Sequence, residues 1–235
     1  MVSGIPQGLP ISALLANIYM LPFDEVIIEE LAIKKNVFYR RYSDDIIVVC
    51  EKNQVKEIED FILREIKKID LVISKSKTEK FLFTNASRLQ CYKYVNKEWI
   101  ENIPLTYLGF EFYGYQTLIK SKNLASFYRD MKDTIRRKSN RVSSIKSKYL
   151  VDEAPLYKGK IYRLYSHKGI KKRVLKKGNR KREYRGNYIK YAYRASEEME
   201  APEIKRQLRR HWKILRSTLR KYDFSNVSNS EETTN

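Results

Sequence analysis

Residues 37–49 limit the fold more than any other segment of this chain. Val37 to Val49 is a run of β-branched and aromatic side chains interrupted by Arg40-Arg41 and by Ser43-Asp44-Asp45. Such residues suit a pleated, half-buried surface, whereas Ser and Asp are poor in strand interiors and good in turns. The run therefore reads as strand, tight turn, strand, with two adjacent carboxylates at the tip. A helix is expected on each side of this hairpin. Ser12 is a good N-cap for a helix from about Ala13 toward Leu31, which Pro22 should interrupt or bend. Val55, Ile58, Ile62, Ile66 and Ile69 recur at helical spacing with charges between them, so a second, amphipathic helix lays one face on the sheet. Residues 88–118 read as short strands, closing on Tyr107-Leu108-Gly109-Phe110-Glu111-Phe112-Tyr113 and a turn at Gly114.

Charge separates this first half from the rest. The 235 residues carry 48 Lys+Arg against 28 Asp+Glu, a formal charge of +20, yet residues 1–75 hold 10 basic and 12 acidic side chains. Residues 120–222 hold 33 and 9. A polyanionic partner is the expectation, the plainer alternative being a solvated charged face. Tyr157, Tyr162, Tyr165, Tyr184, Tyr188, Tyr191 and Tyr193 interleave with the cations, which favours nucleic acid: aromatic faces stack on bases while Lys and Arg neutralise phosphates. Leu124, Phe127, Met131 and Ile135 predict a helix, and Ile189 to Tyr222 returns to helix with Pro202 at a first helical position and Leu208, Trp212, Leu215 and Leu219 as its apolar stripe. The Gly- and Lys-rich stretch from Lys168 to Gly186 should form no core and is expected to be a mobile loop or a segment ordered by nucleic acid. Residues 223–235 read as a disordered tail.

Several classes are excluded or disfavoured. The longest uncharged stretch, Val2 to Phe23, holds Pro6, Pro10 and Pro22 and lacks a basic n-region, so neither a membrane span nor a signal peptide is expected. Cys50 and Cys91 are too few for a disulfide framework or a Cys-ligated zinc site, and a reducing, cytoplasmic setting follows as the expectation. His167 and His211 lack a neighbouring Cys or acidic cluster and read as ordinary polar or core-edge residues. The acidic tip itself has two readings on the residues alone. It is an Asp-Asp surface turn, or it is a site for Mg²⁺, a hard cation held by one or two carboxylates plus substrate phosphates.

An ordered set of motifs moves that balance: Gly4-Ile5-Pro6-Gln7-Gly8, the helix opening at Ser12, Tyr42-Ser43-Asp44-Asp45, Lys77-Thr78 and Tyr107-Leu108-Gly109-Phe110. The set resembles the palm of reverse transcriptases, and within them the bacterial group II intron, retron and abortive-infection (phage-defence) enzymes. Phe127-Tyr128-Arg129 and the Gln207 to Trp212 helix resemble, less specifically, the thumb side of the defence-associated members.

The resemblance implies an α+β fold: a partial polymerase palm over residues 1–118, with an antiparallel sheet and packed helices, then a mainly helical, basic, thumb-like region over 119–222. It implies an RNA-directed DNA polymerase transferring nucleotides from dNTP to a primer 3′ end, with an RNA template, a DNA or protein primer, and Mg²⁺ or Mn²⁺ as cofactor. By resemblance Asp44 is the metal-binding carboxylate and Asp45 its supporting neighbour, and Lys77 matches a lysine that protonates the leaving pyrophosphate, the plain alternative being a surface lysine. Pro6, Gln7 and Gly8 would pack against the incoming nucleotide and template base, and Leu108, Gly109 and Phe110 would form a primer grip on a hairpin bulged at Gly109. Arg136, Arg137, Lys171, Lys172, Arg173, Arg206, Arg209 and Arg210 are the expected nucleic-acid contacts. The family's fingers and a further catalytic Asp precede the Pro-Gln-Gly segment, so the resemblance implies that an N-terminal half is missing and that a separate chain could supply it. Asp24, which lies on the other side, reads as a helix-surface acid. The competing class is a non-catalytic RNA-binding module derived from such an enzyme.

Overall fold

The computed structural model describes residues 9–85, 87–151, 156–167, 173–177, 180–184 and 186–222. The fold is α+β, with antiparallel sheets and packed helices. The chain divides into two compact units between Lys80 and Phe81.

In the first unit, α1 (Ser12–Ile27) runs into a π-helical turn (Ile28–Ile33), followed by β1 (Phe38–Tyr42), β2 (Asp45–Val49) and α2 (Val55–Lys68). Met20, Phe23, Ile27 and Leu31 recur every three or four residues and are buried against Val37, Tyr39 and the Ile58, Ile62 and Ile66 stripe of α2. That shared burial holds together elements whose local propensity alone would be marginal. Ser12 is the first helical residue, one position inside its expected place as N-cap. Pro22 lies within α1 without ending it: the hydrogen bond it removes is offset by the burial of Met20, Phe23 and Ile27 around it. Asn36, at φ 54, stops the helical run, and Val37 N–H donates back to the Leu31 carbonyl at 3.0 Å. The Tyr19 hydroxyl donates to the Ile69 carbonyl at 2.7 Å, and a Lys35–Glu57 ion pair spans the same elements.

The second unit opens with two three-stranded antiparallel sheets, β3 (Phe81–Asn85), β4 (Leu89–Val95) and β5 (Glu98–Glu101), then β6 (Leu105–Tyr107), β7 (Phe110–Phe112) and β8 (Thr117–Ile119). Gly114 joins them through a bridge to Gln90. The long α3 (Ser121–Tyr149) and the short α4 (Gly159–Tyr165) follow, then β9 (Arg173–Lys177) paired with β10 (Arg180–Tyr184), and α5 (Tyr188–Glu198), α6 (Pro202–Gln207) and α7 (His211–Lys221). The Lys168–Gly186 stretch, expected as a mobile loop or a segment ordered by nucleic acid, holds a hairpin in its described part. Gly178-Asn179, between the two strands in the sequence, is a turn signal from which the pairing could have been read. The predicted 189–222 helix resolves into three, because Glu200 at φ 51 ends α5 and Pro202 starts α6. The expected tail at 223–235 lies outside the described residues.

Two apolar clusters build the helical part. One gathers Ile119, Phe127, Ile189, Ala192, Ala195, Ala201, Ile204 and Leu208; the other gathers Met131, Ile135, Leu156, Ile161, Leu215 and Leu219. The Gln207 amide ties helix to sheet as a strand would, accepting from Ile119 N–H at 2.9 Å and donating to the Ile119 carbonyl at 3.0 Å. Asn187 caps α5, accepting from Lys190 N–H at 3.1 Å, while its amide nitrogen donates to the Arg163 and Ser166 carbonyls.

His211 is buried among Phe127 and Tyr128, with Nε2 2.7 Å from the Tyr165 carbonyl and Nδ1 unpartnered. A carbonyl only accepts, so Nε2 carries the proton. Burial holds the imidazole below its usual 6.5 against the opposing pull of the Tyr165 carbonyl. Its contribution to stability is therefore complete above the unfolded value and is lost as pH falls. The thermal midpoint of the second unit should drop on acidification from about pH 7 to about pH 5, the window in which an unfolded histidine charges. His211→Gln should flatten that drop; an unchanged slope in melts followed by Trp212 fluorescence would reject it.

Candidate functional site

The acidic tip is built by backbone register. Tyr42 pairs with Asp45, leaving Ser43 and Asp44 as a two-residue turn. Ser43 sits at φ 58, a conformation most side chains avoid and one that tight hairpins require. Tyr39 and Arg41 are two residues apart, so they share the face of β1 that meets α1. Both reach Asp24. The Tyr39 hydroxyl donates to Oδ1 at 2.6 Å, Arg41 Nε donates to Oδ1 at 2.9 Å, and Arg41 Nη2 donates to Oδ2 at 2.5 Å. Arg41 Nη1 donates to Asn17 Oδ1 at 3.1 Å and to the Ser43 carbonyl at 2.8 Å.

Asp24 is thus not the helix-surface acid expected from the sequence. Its side chain keeps 17% of its exposure and that of Arg41 9%. Burial alone would raise the Asp24 pKa, but the Arg41 fork and the Tyr39 hydroxyl outweigh it and hold the carboxyl below its ordinary value. The same burial, with the Asp24 charge beside it, pushes the Tyr39 phenol well up.

Asp44 and Asp45 are exposed, and among the described residues neither carboxylate has a hydrogen-bond or ion-pair partner. Two carboxylates on adjacent residues, free of such partners, are oxygen ligands of the kind that a hydrated Mg²⁺ or Mn²⁺ shared with substrate phosphates takes. They do not form a closed cage: among the described residues no group of three His, Cys, Asp or Glu converges. Lys77 is exposed in a turn in which its N–H and that of Thr78 donate to the Ser74 carbonyl at 3.0 and 3.1 Å. Among the described residues, no side-chain hydrogen bond or ion pair joins Lys77 to either aspartate.

In the second unit, Leu108 and Gly109 form the turn between β6 and β7, with Tyr107 paired to Phe110. Both central residues have positive φ, 46 for Leu108 and 85 for Gly109. The expected bulge at Gly109 is therefore a regular two-residue turn of the primed type, which matches the twist of the strands it joins. Lys120 N–H donates to the Gly109 carbonyl at 2.9 Å and fixes the turn to the start of α3. A leucine in this conformation is strained, and it is also 43% exposed. Leu108→Asn should raise the stability of the hairpin by roughly 0.5–1 kcal/mol while removing an exposed apolar contact. Equal or lower melting temperature would refute the strain.

Most of the described cations lie on or beside helices. Arg136 and Arg137 on α3 are exposed, as are Arg206, Arg209 and Arg210 on and after α6. Arg136 pairs with Asp133 at 3.1 Å and Arg206 with Glu203 at 3.7 Å, exposed contacts that a phosphate readily replaces. On α7, Trp212, Lys213, Arg216, Ser217 and Arg220 line a surface recess of about 460 Å³, with the Arg216 guanidinium 4.9 Å from the Trp212 ring. Lys213, Arg216 and Arg220 were legible as one face of that helix from their spacing of three and four, although the sequence reading singled out only the apolar stripe. Arg173 opens β9. Pro6, Gln7, Gly8, Lys171 and Lys172 lie outside the described residues.

Residues 1–112 match the family of reverse transcriptases (RNA-dependent DNA polymerases). The match spans a little under half of the chain, takes in all the motifs from Pro6 to Phe110, and stops before the basic helices. A comparison with curated proteins gave no match. Among the described residues no helix is long and apolar enough to cross a membrane.

Proposed function

We propose that this chain is part of an RNA-directed DNA polymerase of the bacterial group II intron, retron and abortive-infection type, with a role in phage defence. The observation that carries the reading is the family match over residues 1–112, which contains an exposed Asp44-Asp45 tip, its carboxylates without a partner among the described residues, on a hairpin held to α1. Asp44 and Asp45 hold Mg²⁺ or Mn²⁺, which supplies charge stabilisation for transfer of a nucleotide from dNTP to a primer 3′ hydroxyl. Lys77 protonates the departing pyrophosphate, and Pro6, Gln7 and Gly8 border the incoming nucleotide. Leu108, Gly109 and Phe110 grip the primer, while Arg136, Arg137, Lys171 to Arg173, Arg206, Arg209 and Arg210 hold the template strand by its phosphates.

No third acidic ligand joins the tip among the described residues. Transfer with two metal ions needs more carboxylate than Asp44 and Asp45 provide. We infer that a further aspartate and a triphosphate-binding fingers segment are supplied by another polypeptide segment, in the same or a separate chain. The same observation favours the second reading, a non-catalytic RNA-binding module, in which residues 119–222 bind and the palm is a scaffold.

One experiment separates them. Incorporation of dNTP on a primed RNA template is measured with and without a fingers-bearing partner polypeptide, alongside RNA affinity at two salt concentrations. Polymerisation that depends on Mg²⁺ supports the first reading. Binding that weakens by about 10³-fold or more between roughly 50 and 200 mM salt, without incorporation under any condition and without response to Mg²⁺, supports the second.

A further inference from the structure

The geometry points to Arg41, locked by Asp24, as a positioning residue that sets the backbone of the Ser43-Asp44 turn and thereby aims the Asp44 carboxylate. The inference rests on the metal-binding reading of Asp44 but uses different atoms.

An arginine guanidinium offers five N–H donors in one rigid plane. Here that plane is divided between two duties. The Nε and Nη2 edge meets both oxygens of Asp24 on α1, and Nη1 reaches the Asn17 amide oxygen and the Ser43 carbonyl. The fork is thus fixed by the helix before it touches the turn, and the Tyr39 hydroxyl fixes Asp24 in the same way.

The Ser43 carbonyl belongs to the peptide that links Ser43 to Asp44. A hydrogen bond to that oxygen fixes the orientation of the peptide plane, and with it the direction in which the Asp44 side chain leaves the backbone. Ser43 has φ 58 with no glycine to make that conformation easy. A serine there persists when its surroundings over-determine the turn, and among the described residues the 2.8 Å contact from Arg41 is the side-chain hydrogen bond made to the turn backbone. Among the described residues the Asp44 side chain has no hydrogen bond or ion pair to hold it. Its placement is delegated to a neighbour three residues earlier.

Lysine keeps the charge of Arg41 but cannot span Asp24, Asn17 and Ser43 in one plane. The test therefore uses the full chain with Arg41→Lys and Asp24→Asn, and Asp44→Ala as reference. In solution NMR, the intraresidue HN–Hα cross-peak of Ser43, strong at positive φ, should weaken in Arg41→Lys while the Phe38/Val49 cross-strand contacts persist. Broadening of the Asp44 amide by Mn²⁺ should fall in both variants and vanish in Asp44→Ala. In primer extension, with the fingers-bearing partner present, Arg41→Lys should lower kcat by about 10²-fold, the scale of a small misplacement, with the affinity for primer–template unchanged.

An unaltered Ser43 cross-peak and Mn²⁺ response in Arg41→Lys would overturn the inference. Loss of the cross-strand contacts in both variants would overturn it too, because the pair would then hold the whole hairpin rather than aim its tip. If wild-type protein extends no primer under any condition, the polymerase reading falls, and the NMR arm still decides whether Arg41 sets the turn.

Discussion

Asp44→Asn should abolish measurable nucleotide incorporation, a loss of about 10³-fold or more, while leaving RNA binding and the melting temperature unchanged. The substitution keeps the size and hydrogen-bonding reach of the side chain and removes only its negative charge. That charge has no structural partner among the described residues: Asp44 is exposed, unpaired and on a turn. Nothing among the described residues therefore needs it, whereas the divalent cation of the proposed function would. Losing one preorganised charge at a reacting centre already costs about 10²–10³-fold in other enzymes, and loss of a metal ligand exceeds that. Asp45→Asn should have a smaller effect, because Asp45 is the first residue of β2 and, in the function proposed above, only supports Asp44. The measurement is primer extension at saturating Mg²⁺ with the fingers-bearing partner present, with RNA affinity by filter binding as the control. Incorporation by Asp44→Asn within tenfold of wild type would remove Asp44 from the chemistry. A melting temperature that falls in parallel would instead make the aspartate a structural turn former.

The contrast between the two halves of this site shows what a sequence carries. The tip was legible because its signal is local: β-branched and aromatic residues on both sides of Ser43-Asp44-Asp45 force a turn between two strands, and the observed register, Tyr42 to Asp45, follows. The Ile58, Ile62, Ile66 stripe of α2 and the Phe127, Met131, Ile135 stripe of α3 were legible for the same reason, a period of three to four over several turns. What holds the tip was not. Asp24 and Arg41 stand 17 residues apart, and their meeting depends on α1 lying against the β1 face that carries Tyr39 and Arg41. An acid on a helix and a basic pair before a turn look like surface charges until that packing is known.

Misreadings elsewhere have the same origin. β3 went unread because Phe81 to Asn85 has no clean alternation; it is half-buried through most of its length, so neither face is marked as polar. In place of the expected bulge at Gly109, Leu108 and Gly109 form a regular two-residue turn, which the Lys120 N–H and the pairing of β7 with β8 hold. Pro22, expected to interrupt or bend its helix, does not interrupt it, because burial on both sides carries the helix through. In each case local propensity was outweighed by contacts from distant residues, and such contacts are invisible to a reading by window.

Gly114→Ala should be the most damaging small substitution in the second unit. Gly114 has φ 91, outside the range that a residue with a Cβ adopts at low energy, which by itself costs about 1–2 kcal/mol. A Cβ there would also lie 2.6 Å from the Leu89 carbonyl oxygen and 2.9 Å from its carbon. Both neighbours are backbone, so no side-chain rotation relieves the overlap, and the strand must move. Moving it breaks the Gln90–Gly114 bridge that joins the β3–β5 sheet to the β6–β8 sheet. The combined penalty is about 3 kcal/mol or more, which for a chain of this length lowers the melting temperature by roughly 6–12 °C. Gly109→Ala provides the internal comparison. Its φ of 85 carries a similar backbone penalty, but its added Cβ meets the Asn123 side-chain nitrogen at 2.7 Å, a flexible group that can swing aside. The loss at Gly109 should thus be the smaller of the two, and thermal melts of both variants decide it. The functional consequence also differs. Gly114→Ala separates the sheets and so displaces the whole Leu105–Ile119 segment that carries Leu108 and Phe110, whereas Gly109→Ala leaves that segment attached through Gln207 and Lys120. If the two variants lose equal stability, the clash with Leu89 contributes nothing and the junction between the sheets is looser than the bridge implies.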